Sequence, residues 1–115
     1  MMENASPERE HTRRTTSKLK RELGPEILTA LSDPLVEDIA RNSDGWVWVK
    51  RRGYQWAREF SINDVQAENI LRAIASSLGT TITPERPWLD GELIIDGSRV
   101  HGNLPPETRR PSFTL

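Results

Sequence analysis

The sequence predicts an α+β domain: a mostly antiparallel sheet of about five to six strands, an N-terminal kinked helix, and one main amphipathic helix over about residues 61–78. Three observations predict it. Trp46-Val47-Trp48-Val49-Lys50 alternates between two faces and is bounded by the turn clusters Asn42-Ser43-Asp44-Gly45 and Arg52-Gly53. From Ser61 onward the apolar residues follow helical spacing until Gly79. Beyond the loop holding Pro84 and Pro87, short strand candidates return around a second tight turn, Asp96-Gly97.

In chain order, residues 1–16 carry no apolar periodicity and read as a flexible basic leader, disordered or a frayed helix. Ser17 can cap a helix whose apolar residues are Leu19, Leu23, Ile27, Leu28 and Leu31. Gly24-Pro25 interrupts it, so a kink or two short helices are expected, the second starting at Pro25. Val36–Arg41 fits a short helix or a strand, and a neighbouring hairpin partner favours the strand. With Trp46–Lys50 and Tyr54–Phe60 it makes a meander.

In the main helix, Ser61 is the expected N-cap and Gly79 the expected C′ residue. Ile62, Val65, Ile70, Leu71, Ile74, Ala75 and Leu78 form its apolar face. The remaining strand candidates are Glu92–Ile95, Arg99–Leu104 and Ser112–Leu115. Pro105-Pro106 ends the second of them, because proline gives no ladder hydrogen bond. The chain stops at Leu115 inside a strand candidate, which suggests a piece of a longer protein.

Composition excludes more than it selects. A chain of 115 residues with 35% hydrophobic and 29% charged residues makes one soluble-type domain, here residues 17–115. There is no cysteine, hence no disulfide, thiol nucleophile or thiolate metal site. No apolar run approaches the roughly 20 residues of a membrane span. The polar start Met1-Met2-Glu3-Asn4 is no secretory signal, leaving the cytoplasm as the expected compartment.

The net charge of −1 hides an uneven distribution. Arg9, Arg13, Arg14, Lys18, Lys20 and Arg21 precede the acids Glu22, Glu26, Asp33, Glu37, Asp38 and Asp44. Such an arm can meet phosphates or anionic lipid, while the plainer reading is a solvated leader. Trp46 and Trp48 share a strand face with Lys50, and aromatics beside cations can stack single-stranded bases. Core or interface tryptophans beside a solvated hairpin tip are the plainer alternative. The arm and the tryptophan face together define one candidate function, a stand-alone module for nucleic acid or anionic membrane.

Catalytic equipment is sparse. His101 as a general base would need Asp90, Glu92 or Asp96 to orient it, and a surface cross-strand histidine is the simpler reading. No spacing of histidines and acids supports a metal site, and no G-x-x-x-x-G-K-[ST] phosphate loop occurs. Arg99, Arg109 and Arg110 remain as permanently charged groups whose forks match phosphate oxygens.

The run Asp96-Gly97-Ser98-Arg99-Val100-His101-Gly102-Asn103-Leu104-Pro105-Pro106, with Phe113-Thr114-Leu115 beyond it, resembles the end of the N-terminal domain of TrbB-type conjugal transfer ATPases. These belong to the traffic ATPases of type II and type IV secretion. Leu23-Gly24-Pro25-Glu26-Ile27, Asp33-Pro34-Leu35-Val36-Glu37-Asp38-Ile39 and Asn42-Ser43-Asp44-Gly45-Trp46-Val47-Trp48-Val49 extend the resemblance from about Arg14 onward.

The resemblance implies a non-catalytic α+β domain linked to a C-terminal RecA-like ATPase domain. It implies a homohexamer in which ATP with Mg²⁺ sits between the two domains, so this chain alone would hold no cofactor and hydrolyse nothing. Partners by resemblance are the ATPase domain, neighbouring subunits and other secretion-channel components, with a possible peripheral contact at the inner membrane. Arg99 matches an arginine that approaches the terminal phosphate. Arg109 and Arg110 match no family position and stand as weaker candidates. Gly102-Asn103 inside the strand departs from expectation and reads as a weakening of it.

Overall fold

A computed structural model describes residues 7–115, so residues 1–6 of the expected leader lie outside the described part. Two helices and six strands follow in the order α1 (Pro7–Ser32), β1 (Val36–Arg41), β2 (Trp46–Arg51), β3 (Ala57–Ser61), α2 (Asp64–Ser77), β4 (Trp88–Glu92), β5 (Arg99–Asn103) and β6 (Ser112–Thr114). The α+β class and the mostly antiparallel sheet expected from sequence are what forms.

The sheet has the order β3-β2-β1-β6-β5-β4, and every neighbouring pair is antiparallel. It consists of two three-stranded meanders joined where β1 meets β6, with Ala40 opposite Thr114 and Arg41 opposite Phe113. Reciprocal backbone bonds between Ile39 and Leu115 extend that seam.

Both helices cover one face of the sheet. Strand residues alternate, sending Ile39, Val47, Val49, Leu89, Val100 and Phe113 inward. There they meet Leu19, Leu23 and Ile27 of α1 and Ile70, Leu71 and Ile74 of α2. Each such side chain contributes roughly 1.5–3 kcal/mol of burial, so this layer supplies most of the driving force. The opposite face of the sheet carries no covering element among the described residues.

Local signals explain the helix ends. Gly24 has φ +81° inside α1, and Pro25 restarts the helix, giving the kink that Gly24-Pro25 predicted. At the end of α2, Gly79 takes φ +73°. Its N–H donates to the Ser76 carbonyl while Thr80 N–H reaches back to Ala75, the paired closure that glycine at C′ allows.

Several expectations are corrected. Of the two readings of the leader, disordered or a frayed helix, the helical one describes Pro7 to Thr16, and Ser17, expected as a cap, lies inside the helix. That segment consists largely of helix-compatible polar residues stabilised by local bonds: Arg13 pairs with Glu10, and the Thr15 hydroxyl donates to the His11 carbonyl. The N-cap of α2 is Asn63, whose side chain accepts from Gln66 N–H at 2.7 Å, because Ser61 is held in β3 opposite Trp46.

Val65 is 71% exposed and does not belong to the apolar face of α2. Strand β3 begins at Ala57 rather than Tyr54. Strand β4 is Trp88–Glu92 rather than Glu92–Ile95, since residues 93–98 are spent on the turn. Within it Leu93 N–H donates to the Ser98 carbonyl, and Gly97 N–H donates to the Leu93 carbonyl.

Candidate functional site

The Asp96-Gly97 turn fixes the position of Arg99. Gly97 takes φ +78°, and Ser98 N–H donates to the Asp96 carboxylate at 2.9 Å. The strand then begins at Arg99, opposite Glu92. Alternation sends Arg99 to the uncovered face, where it is exposed. Its guanidinium makes no hydrogen bond or ion pair with any described residue. A cation on a rigid strand, held by a bonded turn and lacking a partner, is placed to meet an anion from outside the chain.

The same row of β5 continues with His101 and Asn103. Register places Asp90 opposite His101, and their side chains meet at 2.7 Å through Nδ1. Asn103 Nδ2 lies 3.1 Å from Nε2. With Nδ1–H donating to Asp90, Nε2 accepts from the Asn103 amide. Of the three acids offered by the sequence, the fold selects Asp90. The resulting cluster is a half-exposed cross-strand pair without a nucleophile beside it.

Arg109 is exposed, and Arg110 is committed elsewhere. Arg110 Nε donates to both Asp64 oxygens at 2.9 and 3.1 Å, and its Nη1 donates to the Ser43 carbonyl at 3.0 Å. Asp64 also receives Arg41 at 2.9 Å. Arg41 is fully buried and donates further to the carbonyls of Pro111 and Ile62, while its Nε has no partner. Bonding from Arg41 first, and from Arg110 second, holds the Asp64 carboxyl below the usual range against the opposing effect of desolvation. This network ties β1, the start of α2, the 42–45 turn and the approach to β6 together.

Sequence reading missed Arg41, although its signal was present. Arg41 stands two residues after inward-facing Ile39 and therefore points into the core. The carboxylate it needs opens α2.

Trp46, Trp48 and Lys50 lie on the uncovered face of β2, as alternation predicted. The Arg58 guanidinium sits 4.4 Å from the centre of the Trp46 ring, a cation–π contact that occupies it. Trp48 and Trp56 line an open hollow of about 360 Å³ with Ala40 and Asn42. The basic hairpin tip is largely neutralised within the chain: Lys50 pairs with Glu37, and Arg51 with Asp33 and Glu59. Arg13, Arg14, Lys18, Lys20 and Arg21 lie on α1, across the sheet from the tryptophans. The fold therefore does not join the basic arm and the aromatic face into one surface.

Among the described residues no group of three or more histidines and acids could hold a metal ion, and no helix is long and apolar enough to cross a membrane.

The fold is similar to that of part of a known ATPase. It superposes on the VirB11 ATPase of the Brucella suis type IV secretion system, solved in complex with sulphate, with a TM-score of 0.80 and 23% identity. The overlap covers 91% of this chain and 32% of that one. By sequence the chain is homologous to the TrbB conjugal transfer proteins. It is 36% identical over 102 residues to a probable conjugal transfer protein TrbB of Sinorhizobium fredii (strain NBRC 101917 / NGR234), covering 89% of this chain and 31% of that protein. It is 35% identical over 102 residues to TrbB of Rhizobium radiobacter, covering 89% and 32%. The chain thus spans about a third of the length of these relatives. No protein-family profile matches it.

Proposed function

We propose that this chain is the non-catalytic N-terminal domain of a hexameric conjugal transfer or type IV secretion ATPase. In this reading it contributes to ring assembly and closes over ATP with Mg²⁺ bound between it and a C-terminal ATPase domain. The observation that carries the proposal is Arg99: an exposed, unpartnered guanidinium on a rigid strand, inside the Asp-Gly-Ser-Arg element of a chain homologous to TrbB. Arg99 alone is one cation and no phosphate cradle, so the nucleotide would be held mainly by the second domain. Arg110 is not needed, since its charge is spent on Asp64.

The test uses the protein that joins this chain to its ATPase domain. Arg99→Ala is expected to lower ATP turnover by at least about tenfold, less than the ~10³–10⁵ known for arginine fingers in GTPases because Arg99 is only one of the groups that would meet the phosphates. Unchanged turnover overturns the role of Arg99. The reading frame beyond Leu115 is expected to encode a G-x-x-x-x-G-K-[ST] loop. A second domain of another type there overturns the larger proposal.

A further inference from the structure

The two edges of the sheet, β3 and β4, are built differently. The register of β3 against β2 is irregular between Val47 and Trp48, and such a break turns an edge strand away from further pairing. Strand β4 pairs with β5 over five residues without a break, and it contains no lysine and no proline. It therefore lacks the devices that usually blunt an edge. Its ladder phase is fixed at both ends. Leu104 N–H donates to the Pro87 carbonyl and Leu93 N–H to the Ser98 carbonyl, so within β4 it is Leu89 and Gly91 that bond to β5. Trp88, Asp90 and Glu92 turn their N–H and C=O groups outward, where no described residue bonds to them. The side chains of all three are exposed, on the uncovered face of the sheet.

We propose that β4 is the docking edge for an extended, basic segment of a partner protein, which adds to the sheet as a further antiparallel strand. Antiparallel addition continues the pattern of every pair in this sheet and gives the stronger ladder per residue. The three outward residues offer about six backbone bonds, two per residue, along about 17 Å of strand. Charge selects the guest. On the uncovered face its residues would stand opposite Glu92, Asp90 and Trp88. Glu92 makes no hydrogen bond or ion pair with a described residue, although Arg99 is its ladder partner. Asp90 gives Oδ1 to His101 and keeps its second oxygen. Opposite charges across a ladder are favourable and like charges are not, so lysine or arginine suits the first two positions. The same rule disfavours a second copy, because β4 paired along its full length with β4 puts Asp90 opposite Asp90. On the inner side, Gly91 has no side chain and half-buried Leu78 stands over it, leaving apolar surface beside the edge for a small aliphatic guest residue.

The experiment titrates the chain into the fluorescein-labelled peptide Thr-Lys-Val-Arg-Val-Tyr-Thr by anisotropy and maps the contact by amide chemical shifts. Saturable binding is expected, with the largest shifts at Trp88, Asp90 and Glu92. Methylating the peptide's Lys, Arg and Tyr nitrogens, which would face β4, keeps every charge and is expected to weaken binding at least about tenfold through lost hydrogen bonds. Methylating the two Val nitrogens, which would face solvent, should leave it unchanged. Replacing the Lys and Arg by Glu is expected to weaken it about tenfold. In the chain, Asp90→Pro puts a ring where the guest needs an N–H, spares the bonds to β5 and should abolish binding. The peptide variants leave the chain unaltered, so they decide the matter even where Asp90→Pro fails to fold. Absent binding, or equal binding by the peptide methylated at Lys, Arg and Tyr, overturns the proposal. Equal binding of the Glu peptide overturns the basic guest. Shifts centred on β3 overturn the choice of edge. Dimerisation of the chain alone through β4, seen by sedimentation equilibrium, makes a second copy the occupant and overturns the partner segment.

Discussion

Arg41 and Arg99 are strand arginines on opposite faces of one sheet, and they meet opposite fates. Arg41 points into the helix-covered layer and spends its charge on Asp64 and two carbonyls. Arg99 points to the bare face and spends its charge on nothing within the described chain. The difference shows how one residue type divides into scaffold and contact. A buried guanidinium must be satisfied by its own protein, because the desolvation cost leaves no alternative. An exposed one costs little to leave unsatisfied and stays available to a partner.

The sharpest break of that contrast is Arg41→Ala. It removes the buried partner of Asp64 and strands two carbonyls, at an expected cost of about 3 kcal/mol by urea unfolding. A loss below about 1 kcal/mol would mean that water or Arg110 replaces Arg41, and the scaffold role would fall. Next comes Gly102→Ala on the inner face of β5. An added Cβ would lie 2.2 Å from Leu71 Cδ2, in a fully buried side chain. Overpacking should cost roughly 1–3 kcal/mol. A neutral result would show that α2 can lift from the sheet.

The acid limb of stability sharpens the comparison further. Asp64 is held below its ordinary carboxyl value by Arg41 and Arg110, and Asp33 is held below it by the Leu35 N–H and by Arg51. A depressed folded-state value gives stability that is present above the ordinary carboxylate range and lost as pH falls through the folded value. The urea midpoint should therefore drop on acidification, and Asp64→Asn should flatten part of that drop while lowering the neutral-pH midpoint. An unaltered acid limb would remove Asp64 from the account. The smallest effect is Arg99→Ala, expected to change stability by no more than about 0.5 kcal/mol. A larger loss would make Arg99 part of the scaffold and erase the distinction.

Much of the fold could be read from the chain because its punctuation is local. Gly24-Pro25, Gly79 and Asp96-Gly97 each specify a backbone geometry that few other residues adopt, and each does so in the structure. What escaped reading depended on the third dimension. Ser61 and Asn63 are both able caps, and only the pairing of Ser61 with Trp46 decides between them. Glu92–Ile95 looked like a strand from its side chains, yet the turn consumed it. Gly102 looked like a flaw in β5. Its missing side chain is the space that Leu71 fills. For the candidate site, the motif singled out Arg99 and the structure leaves it exposed on β5, whereas Arg41 had only its two-residue step from Ile39 and no motif to announce a buried cation.

The seam between β1 and β6 carries a consequence for synthesis. The first and last strands of the sheet are neighbours, so the two meanders cannot unite until Phe113–Leu115 have left the ribosome. Until then β1 presents an open inner edge and the core lacks Phe113. The domain can thus begin its local hairpins early but must finish its sheet last, with closure resting on some of the longest sequence separations in the chain.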